Sequence, residues 1–214
     1  MEKLIAFHGD PELKAAMLKE ARWHVEQDRL IKGTYGQDKT EVKFKGCAIG
    51  CSIHSLARLH KKKLDTSDHS IYETELGIPV RLAYLEDRLF EGLPNELAMT
   101  WPERFLQAIQ PGADLSLVAD KMQVWVLREH QSMLKEEDRP ALDGIIGLFE
   151  TRAAGNLPTQ RECEEVASKL RADRAYRADL ADRADLAYLA DRADLYTKQS
   201  EKLLELLAEA PCQP

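Results

Sequence analysis

The sequence has no apolar run approaching the ~18 consecutive residues that a membrane-spanning helix requires. Aromatic side chains are sparse, at 7% of 214 residues. There are four cysteines, Cys47, Cys51, Cys163 and Cys212, and their spacing does not suggest the disulfide framework of a small secreted domain. An excess of positive charge is also missing. Thirty basic residues stand against 37 acidic ones, for a formal charge of -7. A protein held mainly by phosphate contacts needs a clustered basic face, so nucleic acid is not expected as the primary ligand. The N-terminal stretch Met1 to His8 is too short and too polar for a signal peptide. These absences point to a reduced, cytoplasmic protein with no membrane partner.

What the sequence does contain is helix punctuation. Asp10 is a good N-cap and Pro11 a good first helical residue, predicting a helix that runs to about Lys32 and stops at Gly33. Residues 34–46 read as a loop or short hairpin. A second helix covers Ser52 to Lys63. Ser67 or Asp68 caps a short third one ending at Gly77, and Pro79 opens another over Val80 to Glu91, closed by Gly92. Pro94, Pro102 and Pro111 are expected to cut the next stretch into short pieces. A longer helix follows from about Asp114 to Glu129. Its segment Val124 to Leu127 is apolar on all sides and is expected to be buried centrally. Pro140 starts another helix, stopped near Gly155. With no strand runs, residues 1–155 read as an all-α, multi-helix globular domain.

Residues 156–214 read as a long helical arm. Thr159 and Glu162 fit a capping box, and no Gly or Pro follows until Pro211. One helix of about fifty residues, ~75 Å long, is predicted. From Ala172 to Ala193 an alanine stands at every third position. Each triplet slips ~60° around a helix, so the alanines spiral and no coiled-coil seam forms. The repeat is either a low-complexity spacer or an arm for self-association or a protein partner. Leu203, Leu204, Leu206 and Leu207 form a better apolar patch, which docks on the domain or on a second chain.

Five of the six histidines, and two of the cysteines, lie in the first 69 residues. On the first helix, His24 and Asp28 fall in the same ~80° arc as Leu13, Met17 and Ala21, so both are expected to face inward. An inward carboxylate needs a partner charge, a metal or several donors. In the segment Gly46 to His54, the residues Cys47, Cys51 and His54 share one helical face within ~60°. If the chain curls before Ser52, both thiols and His54 can meet. His24 or Asp28 then completes a four-ligand N/S/O set that suits zinc or iron, in a structural or hydrolytic role.

Two alternatives use the same residues. Both cysteines are simply buried thiols, or Cys47 is a nucleophile. A helix N-terminus with Lys43 and Lys45 nearby would lower its pKa, and a histidine would serve as base. The spacing C-x3-C-x2-H resembles the C-x3-C-x2-C motif of radical-SAM enzymes, but His54 stands in place of the third cysteine and there are no βα repeats. H-E-x-x-H, E-x-x-H, G-x-S-x-G and P-loop motifs are absent from the sequence. Glu86, Asp87 and Glu91 read as a solvated acidic face, and Lys61 to Lys63 as a solvated helix end.

Two stretches carry a family resemblance. One is Lys45-Gly46-Cys47-Ala48-Ile49-Gly50-Cys51-Ser52-Ile53-His54, followed by Leu76-Gly77-Ile78-Pro79, Leu85 to Glu91, and Gly112 to Ser116. The other is the alanine-every-third tail with its leucine-rich end. Together they resemble a family of uncharacterised proteins from bacteriophages, prophages and bacterial plasmids. The resemblance implies an accessory protein expressed in a bacterial host cytoplasm, and it implies no catalytic residues.

Overall fold

The computed structural model describes residues 4–37, 43–134, 136, 139–177 and 192–212. Among these residues the chain forms nine α-helices and no strand. They are α1 (Pro11–Glu26), α2 (Ala48–His60), α3 (Ile71–Leu76), α4 (Val80–Gly92), α5 (Asn95–Ala108), α6 (Val118–Met133), α7 (Pro140–Ala153), α8 (Gln160–Arg177) and α9 (Arg192–Ala208). The all-α expectation holds. No helix among the described residues is long and apolar enough to cross a membrane.

The chain divides into two compact units, residues 1–116 with 193–214, and residues 117–192. The expected division at residue 155 does not coincide with either boundary. The reason lies in α9. Its leucines are not a free patch, because Leu203 and Leu207 are fully buried within the first unit. Such burial stabilises by roughly 1.5–3 kcal/mol per leucine. Gly92 lets α9 approach α4: a Cβ there would meet the Tyr196 ring at 2.4 Å. Arg104 pairs with Glu201 at 2.7 Å, and the Asp114 N–H donates to the Pro211 carbonyl at 2.9 Å.

In the first unit, α1 packs on α2 and α5, and α4 packs on α2, α3 and α5. Trp101, Tyr72, Phe7, Phe90 and Phe105 are fully buried and form the bulk of its core. Asp10 caps α1 by accepting from the Glu12 N–H at 2.7 Å. However, α1 stops at Glu26, well short of Lys32. Asp28 takes the left-handed conformation (φ 50°), and the Arg29 N–H returns to the His24 carbonyl at 2.9 Å. Aspartate tolerates this conformation better than most residues, so it ends the helix where Gly33 was expected to. Pro102 does not break α5 either. An interior proline costs about 3 kcal/mol, which burial of Trp101, Phe105 and Leu106 around it offsets. The Trp101 indole N–H also donates to the Glu86 carbonyl at 3.0 Å.

The second unit is built from α6 on α7 and α7 on α8. Its buried residues include Val118, Ala119, Met122 and Ile146, while Val124 to Leu127 are half-buried and not central as expected. Asp120, 4% exposed, is held by Arg152 through Nε at 2.9 Å and Nη2 at 3.4 Å. The capping box forms: the Thr159 N–H donates to Glu162 at 2.7 Å, and the Glu162 N–H donates to Thr159 Oγ1 at 3.3 Å. Most of the alanine repeat, residues 178–191, lies outside the described residues, so the single fifty-residue helix is not followed through.

Candidate functional site

The five residues expected to form one metal centre do not converge. Asp28 has left the helix, and its side chain is 95% exposed, 3.5 Å from Lys45 Nζ. Its placement on the inward face assumed a helix that ends earlier. Cys51 is buried, and its thiol donates to the carbonyls of Gly46 (3.4 Å) and Arg29 (3.8 Å). Burial pushes that thiol up to about 12. It is a tie between α2 and the segments at 29 and 46.

His24 lies 3.0 Å (Nε2) from Ser55 Oγ, and its ring meets Trp23, Phe44 and His54 edge-on. Burial, then the charges of His54, Arg29 and Arg58, hold its pKa down to about 3, so the imidazole is neutral. His54 stacks flat on Phe44, 4.1 Å between centroids. This face of α2 is a packed histidine–aromatic core.

Cys47 points elsewhere because α2 begins at Ala48 and the segment before it does not curl inward. Cys47 is the N-cap, its sulfur accepting from the Gly50 N–H at 3.5 Å. Gly50 is required here: a Cβ would lie 2.2 Å from the Tyr35 carbonyl oxygen, so only glycine lets that strap of chain cross the helix start. The strap carries Gly33 and Tyr35 towards α4. Across from Cys47, α4 presents Asp87 and Glu91, one turn apart. One donor atom from each of Cys47, Asp87 and Glu91 lies within 4.8 Å of the others, and this is the one such Cys/His/carboxylate group among the described residues.

The surroundings of this group are specific. Asp87 Oδ2 accepts from Tyr35 Oη at 3.0 Å and lies 3.3 Å from His69 Nε2. His69 is in turn fixed by Ser67, whose carbonyl is 3.2 Å from Nδ1, and by stacking on Tyr84 at 4.2 Å. Both Glu91 oxygens accept from the Gly33 N–H, at 2.9 and 3.0 Å. Asp87 Oδ1, in contrast, is buried without a hydrogen bond of good geometry, and the Cys47 thiol is a hydrogen-bonding neighbour of the Asp87 carboxylate. Burial, reinforced by the negative charge of Asp87 and Glu91, pushes the Cys47 thiol well above the usual range. Burial, with the two carboxylates beside it, outweighs the Gly50 N–H at the helix start, so the environment opposes an activated thiolate.

Behind Asp87, Glu86 is fully buried, and no hydrogen-bond partner of good geometry reaches its oxygens. Burial pushes its carboxyl up to about 8. Glu86 and Asp87 are therefore not part of a solvated face, whereas Glu91 is exposed. The sequence did hold a signal: Glu86 lies on the same helical stripe as Leu82, Leu89 and Phe90, all buried.

No protein-family model matches this sequence, and comparison with curated proteins and with solved structures returns no match.

Proposed function

We propose that the protein binds a divalent transition metal, zinc or ferrous iron, with Cys47, Asp87 and Glu91 as its ligands. The observation that carries this reading is a buried Asp87 Oδ1 with no hydrogen bond of good geometry, in a group of three donors within 4.8 Å. A buried carboxylate oxygen without a partner is costly, and a cation between it and the thiol removes both that cost and the like-charge repulsion. One thiolate with two carboxylates is a donor set that both metals accept.

Tyr35 and His69 hold the other oxygen of Asp87 and so orient it, the usual arrangement around a metal-binding carboxylate. Cys47 is buried, Asp87 intermediate and Glu91 exposed, so the group opens to solvent on one side. A three-ligand site open to water supports a hydrolytic role over a closed structural one, since a metal-bound water is a nucleophile at neutral pH. Read with the family resemblance, this would be a metal-dependent accessory protein of a phage or plasmid.

The test is cobalt titration of the full chain after purification without an affinity metal column. A sulfur-to-cobalt charge-transfer band at one equivalent, displaced by zinc, is expected. The band should vanish in Cys47→Ser and persist in Cys51→Ser. No band, or an unchanged band in Cys47→Ser, would overturn the assignment.

A further inference from the structure

The other end of α2 carries a second feature that the metal reading leaves unused. A cleft of about 670 Å³ opens between the last two turns of α2, the 62–66 segment and Phe44. That volume lies within the range of small-molecule sites, roughly 300–1,000 Å³. Its apolar wall comprises Phe44, Ala57 and Leu64, with Phe44 held in place by its stack on His54.

Its charged wall is Arg58, Lys62 and Lys63. Lys62 is occupied, donating to both oxygens of Glu75 at 2.9 and 3.1 Å. Arg58 is not saturated. One of its five N–H groups donates to Glu20 at 3.1 Å, and the guanidinium lies 4.5 Å from the centroid of the Trp23 ring. Lys63 is exposed and makes no ion pair among the described residues. Asp65, the one acid in the wall among the described residues, accepts from the Ser67 N–H at 3.0 Å and hydroxyl at 2.8 Å.

From this division we infer that the cleft binds a small phosphomonoester with a flat, apolar body, of nucleoside monophosphate size. The phosphate sits on Arg58 and Lys63, where spare donors of two cations match a dianion. The apolar body covers Ala57 and Leu64, which the buried Phe44 backs, and Thr66 lies at the same wall. Burial of the body against the apolar wall supplies affinity, and the cations fix orientation. This inference is independent of the metal site, since none of its residues is a proposed ligand.

Trp23, packed against Arg58, makes the test direct. Adenosine monophosphate is titrated into the full chain at low salt while tryptophan emission is followed. Saturable quenching is expected, absent in Trp23→Phe, with binding confirmed there by calorimetry. Adenosine alone and inorganic phosphate alone should each bind at least about tenfold more weakly, each lacking one half of the contact. Lys63→Glu should weaken binding by about tenfold. Ala57→Leu, which fills the apolar wall, should weaken it with the helical circular dichroism unchanged. Added EDTA should change nothing. No binding at millimolar nucleotide would overturn the inference, as would phosphate binding as tightly as the nucleotide, or equal affinity in Lys63→Glu and Ala57→Leu.

Discussion

Cys47 and Cys51 are four residues apart, both almost fully buried, and belong to different worlds. Around Cys51 the thiol donates to two carbonyls and His24 Nε2 meets Ser55, while His24 Nδ1 is buried without a hydrogen-bond partner. Around Cys47 the chain gathers two acids from α4, Asp87 and Glu91, and leaves Asp87 Oδ1 without a hydrogen bond of good geometry. The unpartnered atom on the Cys51 side belongs to a neutral imidazole, whereas the one beside Cys47 belongs to a carboxylate, whose burial costs more. That difference is what places the proposed metal site at the start of α2 and not at Cys51.

The change that should damage both sides most is Gly50→Ala. A backbone oxygen 2.2 Å from the new Cβ cannot be moved by a rotamer change, so the Tyr35 strap must lift off α2. A loss of about 3 kcal/mol or more in unfolding free energy by urea denaturation is expected. A loss below about 0.5 kcal/mol, within surface-substitution range, would show that the crossing is not tight.

Next come two opposite pH effects, one from each side. Glu86 has its folded pKa raised from 4.5 to about 8, so its contribution to stability is whole below pH 4.5 and is lost as pH rises through 8. His24 has its folded pKa lowered from 6.5 to about 3, so its contribution is whole above pH 6.5 and is lost as pH falls through 3. Thermal melts of Glu86→Gln should flatten the alkaline limb, and those of His24→Gln the acid limb. Each limb amounts to a few kcal/mol. If both variants kept the wild-type pH profile, neither group would be titrating from within the core.

The fold class, the caps at Asp10 and Thr159 and the proline start of α7 were legible because each is set by neighbours in sequence. The site was only half legible. Cys47 belongs to the proposed site, but the other proposed ligands lie on α4, and no local pattern says which face of α4 meets the start of α2. Asp28 was misplaced for a local reason: a helix pattern continued by periodicity hides an aspartate that can take positive φ. Glu86 and Asp87 were misread because charge suggests solvent, while Glu91 is exposed as expected. The docking of α9 was open for the same reason as the site, since a leucine stripe specifies burial without saying against what.

The smallest predicted effect separates the two cysteines most finely. Cys163 and Cys212 are exposed and should react with iodoacetamide promptly, while Cys47 and Cys51 wait for opening of the fold. Asp87 adds charge beside Cys47, and no acid is among the groups acting on Cys51. Asp87→Asn should therefore lower the Cys47 pKa and leave that of Cys51 in place. In metal-free protein at pH 9, peptide mapping should show alkylation of Cys47 accelerated by a few-fold relative to Cys51. Equal acceleration of both would mean that the substitution had loosened α2 as a whole. Acceleration of neither would mean that burial alone governs Cys47 and that the acids of α4 lie too far from it to act together on one ion.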